Sequence, residues 1–256
     1  MSPKLVRTVC LAVLLTSLFS GSAVEAQQAF VSSTVTHNSL AGHPFSGCRI
    51  LYLGFVGALE SPDDRYSGIV QIRQTLQDKG YSDVCARSFS PYAWTEGRDW
   101  LLKYFPAHAG GLTAQELDSA PRVILLGHSM GGWAMLAVAR ELRSRDIPVE
   151  LTIQVDSVGI TDHTVPRNVK AAAIFHANDV LMFMTTKHLR REDPAHTKLV
   201  ADALVPSAGH ISVTRDPRIR ELVMETVQSL RNTFAAQSTP NGTGMLPEPA
   251  RGIQQK

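Results

Sequence analysis

The sequence has little excess charge and lacks two common kinds of motif, and each absence excludes a class of function. The formal net charge is +2, and no dense cluster of lysine and arginine or interleaved aromatic array is present. The sequence therefore gives no sign of a nucleic-acid partner. The histidines and carboxylates show no metal-ligand spacing such as His-Glu-x-x-His, and no glycine-rich dinucleotide loop occurs. We therefore predict chemistry that needs no metal and no cofactor.

What is present is the composition of one ordinary globular domain. Hydrophobic residues make up 44% of the 256 residues and charged residues 19%, which suits a soluble core and excludes a disordered chain. No internal repeat is visible. We divide the chain into a leader (1–26), an irregular lead-in (27–46), an α/β domain (47–235) and a disordered tail rich in Ser, Pro, Gly and Gln (236–256).

The leader has the pattern of a secretory signal peptide. Lys4 and Arg7 precede an apolar run at residues 9–19, and small residues follow up to Ala26, where signal peptidase is expected to cut. The alternative is an uncleaved anchor. The run is short for a membrane span, and no later stretch of the sequence is a candidate for one. We therefore expect a secreted or periplasmic protein.

The most informative stretch is the turn Gly-His-Ser-Met-Gly at residues 127–131. A continuous apolar run, typical of a buried strand, comes directly before it, and a helical pattern follows at once. This is the G-x-S-x-G nucleophile elbow, in which a strained serine projects its hydroxyl above a sheet. Gly127 and Gly131 leave room for the helix to return close to the strand. The motif predicts Ser129 as a nucleophile, and the alternative is a glycine-rich turn with an incidental serine.

Strand patterns alternate with helical patterns along the rest of the domain. Such alternation predicts a mostly parallel sheet covered by helices on both faces. A capping box formed by Thr113 and Glu116 predicts the start of one short helix, and Asp216-Pro217 predicts the start of the last helix. Besides the strand of the elbow, the predicted strands are residues 48–55, 82–89, 147–155, 169–177 and 199–205.

The elbow and the order of elements resemble the α/β-hydrolase family. The order of strand, elbow serine, acid and histidine is the order found in that family. The resemblance runs from about residue 48 to residue 234 and looks like the small lipase, esterase and thioesterase members that lack a cap domain. It implies an α/β three-layer sandwich with a mostly parallel central sheet, the minimal α/β-hydrolase fold, for residues 47–235.

A serine hydroxyl needs a base that takes its proton and an acid that holds the base. Among the nine histidines, His210 is the best base. It follows the last predicted strand and precedes a helix, where the resemblance places the catalytic histidine, although a plain loop histidine is the alternative. His128 lies inside the elbow, and we expect it to point away from the serine.

Two aspartates compete for the role of the acid. Asp156 follows the strand after the elbow helix, and Asp179 follows the next strand. Most α/β-hydrolases use the later position, whereas some lipases use the earlier one. We favour Asp156 because the chain leaves the strand abruptly there, while Asp179 opens a stretch that looks like a helix start. Asp179 remains the alternative acid, and an N-cap is its other interpretation.

An oxyanion hole requires two N–H donors that are already in place before the reaction. The N–H of Met130, which follows the nucleophile, is one predicted donor. The resemblance places the second donor at Phe55 in the loop after the first strand, with Val56 as its neighbour. Phe55, Val56, Trp133 and the run at 181–184 are also candidates for an apolar acyl pocket, although such side chains more often belong to the core.

These residues predict a serine hydrolase that acts on carboxylic esters, with lipid esters and thioesters among the candidate substrates. An acyltransferase of the same fold is one alternative. A non-catalytic binding module is another, because Leu53-Gly54 stands where many family members carry His-Gly. The expected partner is a small-molecule ester, without a membrane span; contact with a lipid surface and the oligomeric state are left open.

The resemblance also implies a disulfide. Removal of the leader takes Cys10 with it and leaves Cys48 and Cys85 in a protein expected to reach an oxidising compartment. In the family's sheet the strand that starts near Cys48 lies beside the strand that contains Cys85. Neighbouring strands are about 4.8 Å apart, within the reach of a disulfide. Two reduced, buried thiols are the alternative.

Overall fold

Apolar runs and helical patterns alternate along the chain, and they fold into a parallel sheet with helices on both faces. The computed structural model describes residues 47–106, 112–158, 163–178, 185–186 and 188–238. Within these residues six strands pair in parallel in the order β2-β1-β3-β4-β5-β6. The predicted α/β fold class is confirmed. The strands are β1 (Ile50–Phe55), β2 (Val84–Phe89), β3 (Arg122–His128), β4 (Val149–Val155), β5 (Val169–Ala177) and β6 (Lys198–Val205).

The helices of the described ranges connect these strands and complete the outer layers. The predicted capping box is present, because Thr113 accepts from the Glu116 N–H while the Glu116 carboxylate accepts from the Thr113 N–H. A left-handed Gly80 (φ 62°) follows the first helix, as expected of a helix C-terminus. The helices are α1 (Gly68–Asp78), α2 (Trp94–Leu102), α3 (Ala114–Ser119), α4 (Met130–Arg143) and α5 (Pro217–Ser238), with short 3-10 turns at Pro91–Ala93 and Ser212–Arg215.

The central strands are buried on both faces, and alternate side chains enter two separate cores. In β1, Ile50 and Tyr52 pack with the apolar faces of α1 and α5. Leu51 and Leu53 point the other way and pack with α2 and α4. This alternation follows from the two-residue period of a strand. It explains why the strand sequences read as continuous apolar runs, and it gives the three layers of the fold.

The strand directions bring the predicted site residues to one edge of the sheet. Ser129 follows β3, Asp156 follows β4, and His210 follows β6. Because all the pairs are parallel, these three positions lie at the carboxyl ends of the strands. That edge is where ligands bind in open α/β sheets.

The opposite edge carries the predicted disulfide. Cys48 precedes β1 and Cys85 lies at the start of β2, with their Cα atoms 5.7 Å apart. The two sulfurs are bonded, so this prediction is confirmed. The cross-link joins neighbouring strands at their amino ends, away from Ser129.

Several predictions fall on other parts of the chain. The leader (1–26) and nearly all of the lead-in (27–46) and tail lie outside the described residues and stay predictions. The last helix continues to Ser238, past the predicted domain boundary at residue 235. Within the described ranges, no helix has both the length and the apolar character required to span a bilayer.

Candidate active site

Ser129 occupies the turn between β3 and α4 in a strained backbone conformation. Its φ is 54° and its ψ is −124°, a region that costs a non-glycine residue about 1–3 kcal/mol and persists only where the surroundings fix it. Its N–H donates to the Val155 carbonyl over 3.0 Å, and its carbonyl accepts from the Val158 N–H over 3.2 Å. The neighbouring strand β4 therefore holds the serine in the conformation that the elbow motif requires.

The two elbow glycines are required because the backbone passes close to itself. A Cβ atom added to Gly127 would lie 2.3 Å from the Gly131 carbonyl oxygen. A Cβ atom added to Gly131 would lie 2.4 Å from the Phe55 carbonyl oxygen. These obstacles are backbone atoms, which cannot move aside as a flexible side chain does. The sequence interpretation of both glycines therefore agrees with the structure.

Ser129, His210 and Asp156 form one hydrogen-bonded chain. The His210 Nε2 atom lies 2.9 Å from the Ser129 Oγ atom, and His210 Nδ1 lies 2.5 Å from Asp156 Oδ2. A carboxylate only accepts, so the Nδ1–H donates to Asp156. In the neutral ring Nε2 is then free to accept the serine proton, which is the arrangement that general-base activation of a hydroxyl needs.

Asp156 is held by the ends of two strands. The residue is fully buried and has a φ of 43°, which aspartate tolerates better than most residues. Its N–H donates to Phe175 over 2.7 Å, and its second carboxylate oxygen accepts from the Ala177 N–H over 3.1 Å. Both carboxylate oxygens thus have a partner. The alternative acid, Asp179, lies outside the described residues.

The predicted oxyanion donors differ in what the structure offers. Met130 is the first residue of α4, and the first N–H groups of a helix have no acceptor within it. Phe55 pairs with Gly127 in the ladder between β1 and β3. The Val56 N–H donates to Phe89 over 3.1 Å. The Val56 N–H is therefore used within the sheet, and Phe55 stays a predicted donor.

The candidate acyl pocket is only partly described. Phe55 and Val56 are fully buried and belong to the cores on opposite faces of the sheet, so core packing accounts for both. Trp133 is half-buried and stacks edge-on against Trp94, with ring centroids 6.3 Å apart. The run at 181–184 lies outside the described residues. Of these candidates, Trp133 alone stays a lining candidate in the described part of the chain.

The sequence interpretation missed two polar residues beside the site. His128 was expected to point away from Ser129, yet its ring packs against the His210 ring, with centroids 4.8 Å apart. Its Nδ1 lies 2.6 Å from Oε1 of Glu60, in the loop after β1. No motif joins residues 60 and 128, so only the fold could reveal the pair. Among the described residues, no group of His, Cys, Asp and Glu is arranged to hold a metal ion.

These features give the chain an α/β-hydrolase-like fold. The described strands form an all-parallel sheet with helices on both faces, and a serine stands in a strained strand-to-helix turn at its carboxyl edge. No protein-family profile matches the chain, and no curated protein matches it.

Solved structures with a related fold include esterases and thioesterases. RedJ, described with a PEG molecule bound in its active site, is 12% identical, with a TM-score of 0.42 and coverage of 79% of this chain and 98% of RedJ. A lipase-esterase related protein from Clostridium acetobutylicum is 11% identical, with a TM-score of 0.40 and coverage of 70% and 95%. YbtT, a type II thioesterase of yersiniabactin biosynthesis, is 9% identical, with a TM-score of 0.39 and coverage of 74% and 96%. At such low identity and TM-score the likeness carries nothing about chemistry.

Proposed function

We propose that this protein is a serine hydrolase that cleaves carboxylic esters through an acyl-enzyme on Ser129. The observation that carries the proposal is the hydrogen-bonded chain from buried Asp156 through His210 to the Ser129 hydroxyl. The strained conformation of Ser129 supports it, because strain of this kind is retained at functional sites. A structural role alone would not need three polar groups aligned from a buried carboxylate to a hydroxyl.

In the proposed reaction each of the three residues has one task. His210 Nε2 takes the Ser129 proton as Oγ attacks the ester carbonyl carbon, and Asp156 stabilises the imidazolium that forms. The tetrahedral intermediate collapses, the ester C–O bond breaks, and the Nε2 proton passes to the leaving alcohol. Water that gives a proton to His210 then attacks the acyl-enzyme, and Ser129 leaves as a hydroxyl with that proton. The net reaction converts ester and water to acid and alcohol.

The Met130 N–H is the proposed donor to the oxyanion of the tetrahedral intermediate. It lies at the N-terminus of α4, where free N–H groups and the helix dipole favour negative charge. Preorganised donors of this kind typically contribute about two to three powers of ten in rate. Phe55 stays the predicted second donor.

Esters with an apolar acyl group, lipid esters and thioesters among them, are the proposed substrates. In the described part of the chain, four large hydrophobic side chains are exposed in the segments that follow the carboxyl ends of β1, β2 and β6. They are Leu59 (89% exposed), Tyr66 (62%), Tyr92 (61%) and Ile211 (64%). Apolar side chains exposed at the edge that carries the nucleophile favour an apolar ligand over a charged one.

We further propose that the protein is exported. The leader pattern supports this, and the Cys48–Cys85 disulfide suits an oxidising compartment. Mass spectrometry of the protein from the medium or periplasm should find Gln27 as the first residue of the mature chain. A chain that retains its first residues in the cytoplasm would contradict this proposal.

A fluorophosphonate probe tests the catalytic proposal directly, because it forms a bond only with an activated serine. The probe should label wild-type protein at Ser129, and Ser129→Ala should lose both the labelling and the hydrolysis of p-nitrophenyl esters while its circular dichroism stays unchanged. Absence of labelling in folded wild-type protein would favour a non-catalytic binding module. If an added alcohol captures the acyl group in preference to water, the enzyme is an acyltransferase of the same fold.

A further inference from the structure

His128, the residue before the proposed nucleophile, makes two polar contacts in a buried position. Its side chain is 1% exposed, and its ring lies against the ring of His210. The Nε2 atom is 2.8 Å from the backbone carbonyl oxygen of His210. The Nδ1 atom is 2.6 Å from Glu60 Oε1. One imidazole therefore connects a buried carboxylate to the backbone of the proposed catalytic base.

The two partners determine which nitrogens of the His128 ring carry a hydrogen. A carbonyl oxygen only accepts, so Nε2 carries a hydrogen and donates it to His210. If Nδ1 were unprotonated, its lone pair would face a carboxylate oxygen at 2.6 Å. A second proton on Nδ1 converts this repulsion into attraction. The protonated ring and the Glu60 carboxylate then form an ion pair across 2.6 Å.

Glu60 is itself fixed in place and kept ionised. The Ser67 hydroxyl donates to Glu60 Oε2 over 2.8 Å. Burial alone would raise the pKa of the Glu60 carboxyl, but the hydrogen bond and charge of His128, with hydrogen bonds from Ser67 and the Gly57 backbone, hold this pKa below its usual range. A Cβ atom added to Gly57 would lie 3.0 Å from both Glu60 Oε1 and His128 Nδ1. Glycine at this position therefore makes room for the pair.

The loop that carries His210 is fixed on both sides of the histidine, and the contact with His128 acts at the histidine itself. It follows Ala208 and Gly209, which add no large side chain to hold it. After His210 the chain turns back on itself, since the Val213 N–H donates to the Gly209 carbonyl over 3.0 Å, and the fully buried Val213 anchors this turn in the core. The contact of His128 with the His210 carbonyl is made at the residue whose side chain has to meet Ser129.

We propose that Glu60 and His128 are positioning residues that hold the His210 backbone so that its ring meets both Ser129 and Asp156. This inference rests on the proposed function, since it assigns the pair to the same site. The polar contact of the pair is with the His210 backbone, so the pair acts through His210. A misplacement of about 1 Å in a catalytic group typically lowers the rate about 100-fold, so loss of the contact should reduce kcat and leave KM nearly unchanged.

Two substitutions of His128 separate its two nitrogens. In His128→Gln the amide nitrogen reaches the place of Nε2 and can still donate to the His210 carbonyl. In His128→Asn the amide nitrogen reaches only the place of Nδ1. We expect His128→Asn to lower kcat about 10- to 100-fold, and His128→Gln to recover most of that loss. The labelling of Ser129 by a fluorophosphonate probe should slow in the same order.

Glu60 offers a second pair of variants if His128→Asn does not fold. Glu60→Ala removes the group that orients the ring, whereas Glu60→Gln keeps a polar partner beside Nδ1. We expect a lower kcat in Glu60→Ala, with recovery in Glu60→Gln, and urea unfolding shows whether each variant is folded at the assay temperature.

The outcomes separate the two proposals. If Ser129 is labelled in the wild type but the Asn and Gln variants react equally fast, or if the loss appears in KM instead of kcat, the positioning role is wrong and the hydrolase proposal stands. If folded wild-type protein is neither labelled nor active, the proposed function is wrong and the positioning role is wrong with it.

Discussion

The carboxyl edge of the sheet differs from the amino edge in the backbone conformations and polar groups that it holds. At the carboxyl edge, Ser129 and Asp156 have φ values of 54° and 43°, and both are buried. At the amino edge, Asp146 also has a positive φ of 56°, but it is exposed in the turn before β4. The cross-link between Cys48 and Cys85 is at this second edge.

This difference shows where the fold accommodates backbone strain and which hydrogen bonds stabilise the strained residues. Strained residues persist only when the surrounding structure fixes them, and here β4 and β5 do so through the Ser129–Val155 and Asp156–Phe175 hydrogen bonds. The amino edge has ordinary turns, and its disulfide restricts the unfolded chain. We therefore expect substitutions at the carboxyl edge to affect activity first, and substitutions at the amino edge to affect stability first.

The largest expected effect is that of Asp156→Asn. The substitution keeps the shape of the side chain, and asparagine tolerates a positive φ, so the fold should remain. An amide cannot accept from Nδ1–H and stabilise the imidazolium as a carboxylate does, and kcat should fall by up to about four powers of ten. Ester hydrolysis and circular dichroism measure the two effects separately.

Two matched variants control this prediction. Asp146→Asn makes the same change at a residue of similar φ on the amino edge, and it should leave kcat at the wild-type value. Asp179→Asn should also have little effect. If instead Asp179→Asn abolishes activity and Asp156→Asn does not, the acid of the site is Asp179, and the buried Asp156 serves the fold.

Removal of the disulfide should have the opposite signature. The Cys48→Ser/Cys85→Ser double variant opens a loop with a sequence separation of 37 residues. Removal of a disulfide that closes a loop of this size typically lowers the free energy of unfolding of the protein by about 2–4 kcal/mol. Urea unfolding should show this loss, while kcat at a temperature where the variant is folded stays unchanged. A lower kcat in the folded variant would mean that the two edges are coupled.

The sequence predicted most of the fold because the strands here have a strong signature. Strands buried on both faces read as apolar runs, and the predicted run at 169–177 coincides with β5 (Val169–Ala177). The start of β2 was placed two residues early, because residues 82 and 83 form a turn before Val84. Periodicity locates elements well and their ends less well, since caps and turns decide the ends.

Within the site, local motifs were predictable and contacts across the fold were not. The elbow motif carries Ser129 within five residues, and Met130 follows from it. The order of strands and helices, read through the family resemblance, also led to His210 and to Asp156. The Phe55 donor stays a prediction, because it depends on strand pairing across the fold and no local motif decides that pairing. The Glu60–His128 contact joins residues 68 positions apart (128 − 60) with no shared motif.

Replacement of a glycine by alanine should have a smaller effect, and one glycine at each edge allows the two edges to be compared. Gly131→Ala places a Cβ atom 2.4 Å from the Phe55 carbonyl oxygen and 2.5 Å from that of Val56. Overpacking of this kind costs about 1–3 kcal/mol, and it should also displace the elbow and lower kcat. Gly80→Ala, in open space at the amino edge with φ 62°, should cost about 1–2 kcal/mol through backbone strain alone and leave kcat unchanged. Equal kcat values for the two variants would contradict the comparison.

The smallest expected effect compares one carboxylate from each edge as the pH falls. Glu60 is 11% exposed and Glu192 41% exposed. Burial raises the pKa of Glu60, but the hydrogen bond and charge of His128, together with hydrogen bonds from Ser67 and the Gly57 backbone, lower this pKa by more. The Arg167 N–H and the Arg143 guanidinium hold the pKa of Glu192 below its ordinary 4.5.

A folded-state pKa below the unfolded value means that the folded protein binds fewer protons in this range. Each carboxylate therefore stabilises the fold fully above about pH 5, and its contribution is lost as the pH falls through the folded-state pKa. The difference in the free energy of unfolding between wild type and Glu60→Gln, or Glu192→Gln, should shrink between about pH 5 and pH 3. Raising the ionic strength from about 0.1 M to 1 M shortens the screening length from about 10 Å to 3 Å. Salt screens exposed charges more than buried ones. The added salt should therefore reduce the pH dependence due to Glu192 and leave the pH dependence due to Glu60 nearly unchanged. Equal sensitivity to salt would show that the Glu60–His128 pair is open to solvent.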